Sequence, residues 1–228
     1  MLKPDELDAL HLSLSVAARS VLISLPVALL IAWILTPQRF YGRTLLDAVV
    51  HLPLVLPPVV IGYLLLLLFG IRGPFGSWLF ATFGMRLAFT TNGAALATAV
   101  MSLPLVVRAV RLSLEAIPAG LEDAARTLGA GALDRFATVT LPLMGPGILA
   151  GAVTAFAAGL GEFGAVITFA GSVPGETQTL PLALYAALQS PSGDATAARL
   201  AALSFGLGLA GLAAAELIAR RLRRRLGQ

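Results

Sequence analysis

Long apolar blocks alternate along this chain with short intervals that hold most of its charge. Five of the blocks are long enough to cross a bilayer as helices, which takes about 20 residues each. They cover 12–35, 45–71, 92–110, 143–170 and 197–219. The expected fold is an all-α integral membrane protein, one transmembrane domain over residues 1–228 with five spans. Prolines punctuate three of the blocks: Pro26 in the first, Pro53, Pro57 and Pro58 in the second, Pro104 in the third. Pro57 and Pro58 remove two adjacent backbone donors and kink the second segment. Lipid tolerates such a break only where protein or a cavity satisfies the freed carbonyls, which places this segment inside the bundle. Glycines crowd the fourth block (Gly145, Gly147, Gly151, Gly159, Gly161, Gly164) and the fifth (Gly206, Gly208, Gly211), where they let helices approach closely.

Composition supports that picture. Apolar residues make up 57% of the chain, charged ones 12%, and the mean hydropathy is +0.88. Soluble domains carry about 25% charged residues, so most of this surface need not meet water. With no cysteine, disulfides, thiol nucleophiles and cysteine-ligated metals are excluded. Asp5, Glu6 and Asp8 outnumber Lys3 at the start, the wrong sign for a cleavable signal peptide, so the first span is expected to remain as an anchor. Residues 74–91 are broken into short apolar runs and contain Arg86. They are expected not to insert, with Trp78 suited to an interfacial helix.

Arginine and lysine placement sets an orientation. Arg39 and Arg43, then Arg108, Arg111, Arg126 and Arg135, then Arg220, Arg221, Arg223, Arg224 and Arg225 fall on one side of a five-span chain. The other side holds Lys3, Arg72 and Arg86, and Arg19 and Arg199 sit near outer span ends, close enough to snorkel. Eleven against three puts the N-terminus outside and the C-terminus in the cytoplasm. The basic tail follows directly on an apolar span, so it reads as a topology signal and not as a nucleic-acid site.

The longest cytoplasmic stretch, 113–141, reads SLEAIPAGLEDAARTLGAGALDRFATVTL. Loops of this length usually carry function. Helix formers from Glu122 to Leu128 predict a short helix that Gly129 ends. Such a helix can lie on the membrane or dock in a partner's groove, and pattern alone leaves both open.

Asp123-Ala124-Ala125, Gly129 after three residues, Val139 after nine more, then Leu141-Pro142 resembles the EAA loop of ABC-importer permeases. Asp123 stands where that family has Glu and Val139 where it has Ile, with Glu122 keeping a second carboxylate adjacent. The resemblance implies a type I ABC-importer permease bundle whose coupling helix meets an ATPase subunit. It assigns that contact to Glu122, Asp123, Ala124, Ala125, Arg126, Thr127, Leu128, Gly129, Leu141 and Pro142. It further implies a homodimer in the bacterial inner membrane, two ABC ATPase subunits that bind ATP and Mg, and a periplasmic oxyanion-binding protein. HLPLVLPPVVIGYLLL (51–66), LEDAARTLGAG (121–131), GEFGAVITF (161–169) and PGETQTLPLALY (174–185) are similar to the molybdate branch of the family. Sulfate and tungstate permeases look alike at GEFGA, and the PGET-x-T-x-P context favours molybdate.

Glu162 is an acid in an otherwise apolar span, a functional candidate by default. Its charge would repel an oxyanion, so it is not read as a ligand. It either serves a gate with Gly161, Phe163 and Gly164 or does structural work near the outer interface. His51 and Glu216 read as interfacial polar groups. Thr90, Thr91 and Asn92 offer neutral donors to an anion near the outer face, and helix capping at Asn92 accounts for them equally well. No Walker A loop, no metal-ligand spacing (His11 and His51 are forty residues apart) and no activated serine occur. The chain is expected to be neither an enzyme nor a cofactor carrier. A secondary transporter would need more intramembrane ionisable groups and often inverted repeats, which five spans do not provide.

Overall fold

The computed structural model describes residues 3–36 and 41–225, with backbone alone at Ala119, Ala215, Glu216 and 218–225. Arg39, Gly227 and Gln228 lie outside the described residues, as do the side chains of Glu216 and the tail arginines. Among the described residues there are helices and turns and no strand.

Three helices are long and apolar enough to span alone: α1 (Pro4–Leu35), α5 (Thr91–Glu115) and α12 (Asp194–Arg225), the last over Asp194–Ala214. Two bent pairs would make five crossings if each counts as one. In the first, α2 (Arg43–His51) and a 3-10 turn (Leu52–Leu54) meet α3 (Pro58–Phe69) at 114°. In the second, a segment over Ala132–Leu143 meets α9 (Gly145–Leu160) at 62°. That segment comprises α7 (Ala132–Arg135), a π turn (Phe136–Thr140) and α8 (Leu141–Leu143). The short helices are α4 (Pro74–Phe83), α6 (Ala119–Thr127), α10 (Gly164–Phe169) and α11 (Leu180–Leu188).

The central post is α5, with α1 and α9 packed along it and α10 and α3 also reaching it. Ala94, Ala97, Val106, Val107 and Val110 of α5 are fully enclosed. Lipid tails are as apolar as leucine, so helix association here depends on close packing more than on hydrophobic transfer. The sequence supplies that closeness at every fourth residue of α9: Gly147, Gly151, Ala155 and Gly159 all turn inward. A Cβ at Gly159 would lie 2.9 Å from Thr98 Cγ2, and one at Gly151 would lie 3.1 Å from Val106 Cγ1. Gly206, Gly208 and Gly211 have nothing within 4 Å, so the glycines of α12 serve no packing within this chain.

The second apolar segment differs from expectation in two ways. It turns through 114° instead of kinking, because Pro57 adopts an extended ψ of 136° before α3 restarts at Pro58. It also lies at the side of the chain: Ile61, Gly62 and Leu65 face inward, while Val59, Val60, Tyr63, Leu64, Leu67 and Leu68 are exposed. The 3-10 turn takes up part of the lost hydrogen bonding, with the amides of Val55 and Leu56 both donating to the Leu52 carbonyl. The fourth segment breaks at Gly161–Phe163, and α11 occupies an interval where no helix is expected.

Far from the bends, α1 and α12 are joined through a buried carboxylate. Glu6, 3% exposed, accepts from Arg199 Nη2 at 2.7 Å and from Arg199 Nε at 3.0 Å. About two turns further along α1, Ser13 Oγ accepts the Leu180 amide at 2.7 Å and so ties in α11.

Candidate functional site

The 113–141 loop is ordered helix by helix. Pro118, extended at ψ 125°, starts α6, and the Leu121 amide donates to its carbonyl at 3.0 Å. Leu128 caps the other end, and Gly129 follows at φ +87°. The Ala130 amide donates to the Ala125 carbonyl at 3.0 Å and the Gly129 amide to the Arg126 carbonyl at 3.1 Å. That pair is a Schellman ending, which needs a left-handed residue where glycine stands. Thr127 Oγ1 returns to the Ala124 carbonyl at 2.7 Å, and Arg126 Nη2 meets Asp123 Oδ1 at 3.0 Å. Both members of that ion pair are well exposed, so its stabilisation is under about 1 kcal/mol.

The helix is held to the bundle mainly from its first turn. Thr140 Oγ1, on a residue only 4% exposed, donates to Glu122 Oε1 at 2.8 Å. Arg135 Nη1 donates to the Ala130 carbonyl at 3.0 Å, fixing the connection after Gly129. Thr140 closes the π turn, in which the Leu141 amide reaches back to the Phe136 carbonyl. Single π turns inside helices recur at functional positions. Outward, Leu121, Leu128 and Leu133 are exposed, the last two at 88% and 85%. Leu141 and Pro142 also reach the surface. Thr140 is not among the sequence candidates, and Arg135 enters there only as a topology charge. The pointer available for Thr140 was its place between Val139 and Leu141, the one position left open between the last two fixed points of the EAA-like spacing.

The Gly161–Gly164 candidates lie past the far end of α9, a 16-residue helix about 24 Å long. The structure therefore does not bring the two groups together; it places them at the two ends of one rod. At Gly161–Phe163 the helix breaks and Glu162 Oε1 accepts the Ala165 amide at 2.9 Å, capping α10. A Cβ on Gly164 would lie 2.7 Å from Pro58 Cβ, and one on Gly62 would lie 2.8 Å from Thr168 Cβ. The two interrupted segments thus meet at their breaks. Phe163 also packs edge-on against Tyr185 at 5.1 Å. Discontinuous helices meeting inside a membrane bundle are where transporters expose backbone and side chains to a translocation path.

Thr90, Thr91 and Asn92 do not form a free donor cluster. Thr90 is the N-cap of α5, accepting the Gly93 amide at 3.1 Å. Thr91 donates to the Glu176 carbonyl at 2.7 Å, and Asn92 accepts from Arg19 Nη1 at 2.9 Å. His51 contacts Asp47, which pairs with Arg111 at 2.9 Å, joining α2 to α5.

A family model described as "Binding-protein-dependent transport system inner membrane component" matches residues 24–224. The chain is 52% identical over 223 residues to the molybdenum transport system permease protein ModB of Haemophilus influenzae, covering 98% of this chain and 97% of that protein. To the protein of the same name in Escherichia coli K12 it is 52% identical over 228 residues, the full length of both. The sulfate transport system permease protein CysT of E. coli is 44% identical over 179 residues, covering 77% of this chain and 64% of that one. Among solved structures, a bacterial ABC transporter importing the acidic polysaccharide alginate superposes with a TM-score of 0.75 at 16% identity, covering 96% of this chain and 80% of that one.

Proposed function

The chain belongs to the family of binding-protein-dependent transport system inner membrane components, and we propose that it is the permease subunit of an ATP-driven importer of molybdate. The observation that carries this reading is full-length similarity, at 52% identity, to molybdenum permeases of two bacteria. The sulfate relative matches only 77% of this chain. Five crossings, counting each bent pair as one, agree with an N-terminus outside and a C-terminus in the cytoplasm, the orientation that the arginine bias supports.

On this reading α6 is the coupling helix. Leu121, Leu128 and Leu133 supply the apolar surface that a groove on an ATPase subunit would cover. Glu122, Asp123, Ala124, Ala125, Arg126, Thr127 and Gly129 form or end that helix, and Leu141-Pro142 lead back to the membrane. ATP and Mg belong to the partner; this chain converts the partner's motion into movement of α9. The Glu122–Thr140 hydrogen bond links α6 to the segment that leads, through the 62° bend, into that rod. Gly161, Glu162, Phe163 and Gly164 at its far end are the gate. A second copy of the chain completes the pore, and a periplasmic oxyanion-binding protein delivers the substrate. Alternating access then follows from the two states the ATPase pair favours, each with different contacts to the loop.

The test is uptake of radiolabelled molybdate by proteoliposomes holding the permease, its ATPase subunits and the loaded binding protein. ATP-dependent accumulation that excess sulfate does not suppress is expected. Accumulation of sulfate in preference to molybdate would overturn the substrate, and accumulation without ATP would overturn the class.

A further inference from the structure

The connection between α3 and α5 carries α4, ten residues long and nearly all apolar. Its packing neighbour is α3, and what it turns inward is Gly76, set against the carbonyls of Phe69 and Gly70 with no room for a Cβ. Of its larger apolar side chains only Leu79 is half-buried. Phe75, Trp78, Phe80 and Phe83 are all exposed. Phe75 stacks on Phe69 at 5.5 Å, and Trp78 meets Phe83 edge-on at 5.7 Å. Gly84 ends the helix at φ +66°, and the Arg86 guanidinium lies 4.8 Å over the Phe80 ring.

Four exposed aromatics in ten residues are too many to leave in water. Ten residues are also too few to cross a bilayer, and an exposed apolar helix of this length is of the interfacial kind. The depth agrees. Between Asn92 and Arg108 α5 carries no charged residue over sixteen residues, about 24 Å, which is most of the roughly 30 Å hydrocarbon core. The stretch just before Thr91 therefore falls at a membrane boundary. The exposed face of α3, with Leu64, Leu67 and Leu68, runs directly into α4. Arg72 and Arg86 flank the aromatics on both sides, placed to reach lipid phosphates while the rings stay at headgroup level.

We infer that α4 is a membrane-surface anchor: its exposed aromatic rings lie in the lipid headgroup boundary and Arg72 and Arg86 hold phosphates there. On the orientation proposed above this is the outer leaflet. Bound in this way, α4 fixes the outer end of α3 against the bilayer, so that the α3–α10 contact beside the break has a stationary side.

The chain has two tryptophans, Trp33 and Trp78, so Trp33→Phe leaves Trp78 as the reporter. The full chain, with ATPase subunits whose own tryptophans are replaced by phenylalanine, is reconstituted in phosphatidylcholine brominated near the headgroup or deep in the acyl chains. Shallow bromines are expected to reduce Trp78 emission about twofold or more, and deep bromines distinctly less, as for an interfacial ring. Emission unchanged by either lipid overturns the proposal. So does stronger quenching by the deep bromines, or a response that appears only when the periplasmic binding protein is added, which would make α4 that protein's docking surface. Molybdate uptake by the same vesicles reports on the transport reading separately, since it can persist whichever way Trp78 responds.

Discussion

Replacing Gly129 with glutamate should disconnect the transporter from its ATPase while leaving the membrane bundle folded. The residue sits at φ +87°, and an added Cβ would meet nothing within 4 Å of this chain. The intrinsic cost is therefore backbone strain alone, about 1 kcal/mol for a residue with a side chain in the left-handed region. That weakens the Schellman ending of α6 roughly fivefold and touches none of the lipid-buried contacts. The charge acts only when a partner covers the loop. An unpaired carboxylate buried at a protein interface costs several kcal/mol, and 3 kcal/mol lowers affinity more than a hundredfold. Gly129→Ala carries the strain without the charge and separates the two effects. Expected results are wild-type melting in detergent for both variants, a loss of at most about fivefold in ATPase-subunit binding for alanine, and loss of pull-down for glutamate. Retention of both pull-down and molybdate uptake by Gly129→Glu would remove the loop from the coupling step.

Three further substitutions test separate parts of the argument. Thr140→Val deletes the 2.8 Å bond to Glu122, worth about 1 kcal/mol, so assembly should persist while ATPase stimulation by the loaded binding protein falls severalfold. Unchanged stimulation would show that α6 is linked to α9 by other contacts. Gly159→Leu forces a side chain toward Thr98, whose Cγ2 would lie 2.9 Å from the new Cβ, and should cost about 1–3 kcal/mol in unfolding experiments. Gly206→Leu, with nothing within 4 Å, should cost almost none of that, and equal losses would refute the packing account. Glu6→Gln removes the charge that Arg199 contacts at 2.7 Å and should lower the melting temperature at neutral pH; an unchanged value would mean that the pair adds nothing to the α1–α12 contact.

The parts of the fold legible in the sequence are those written over short distances. Hydropathy located the apolar middles of α1, α5 and α12. It understated α1, which begins at Pro4 because a proline suits a first turn and the Lys3 amide finds Glu6, neither of which a hydropathy window records. The loop helix was expected at 122–128 and occurs at 119–127, with Gly129 left-handed, since capping chemistry is local and specific. Short-range signals were also present and passed over: Thr179 followed by Pro181 opens α11, and Gly161-Glu162 ahead of an apolar run opens α10 through the Ala165 amide.

What joins these pieces is long-range, and no window of sequence contains it. Pro58 and Gly164 are 106 residues apart, yet each is small or rigid where the other needs room. Read singly, Pro57-Pro58 suggests a kink buried in the bundle, and Gly161–Gly164 suggests either a gate around Glu162 or structural work near the outer interface. Their juxtaposition relates the two. Two interruptions that would each leave backbone polar groups unpaired in lipid are placed against each other, so the irregular backbone is concentrated at one location. The same concentration makes that location the deformable part of an otherwise close-packed structure. The stretch of α9 between it and the loop, with Gly147, Gly151, Ala155 and Gly159 locked on α5 and its neighbours, is the stiff part. On the coupling role proposed for α6, a force applied there would pass through Thr140 and the 62° bend into α9, and Gly161–Gly164, where hydrogen bonding is already interrupted, would be the place to yield.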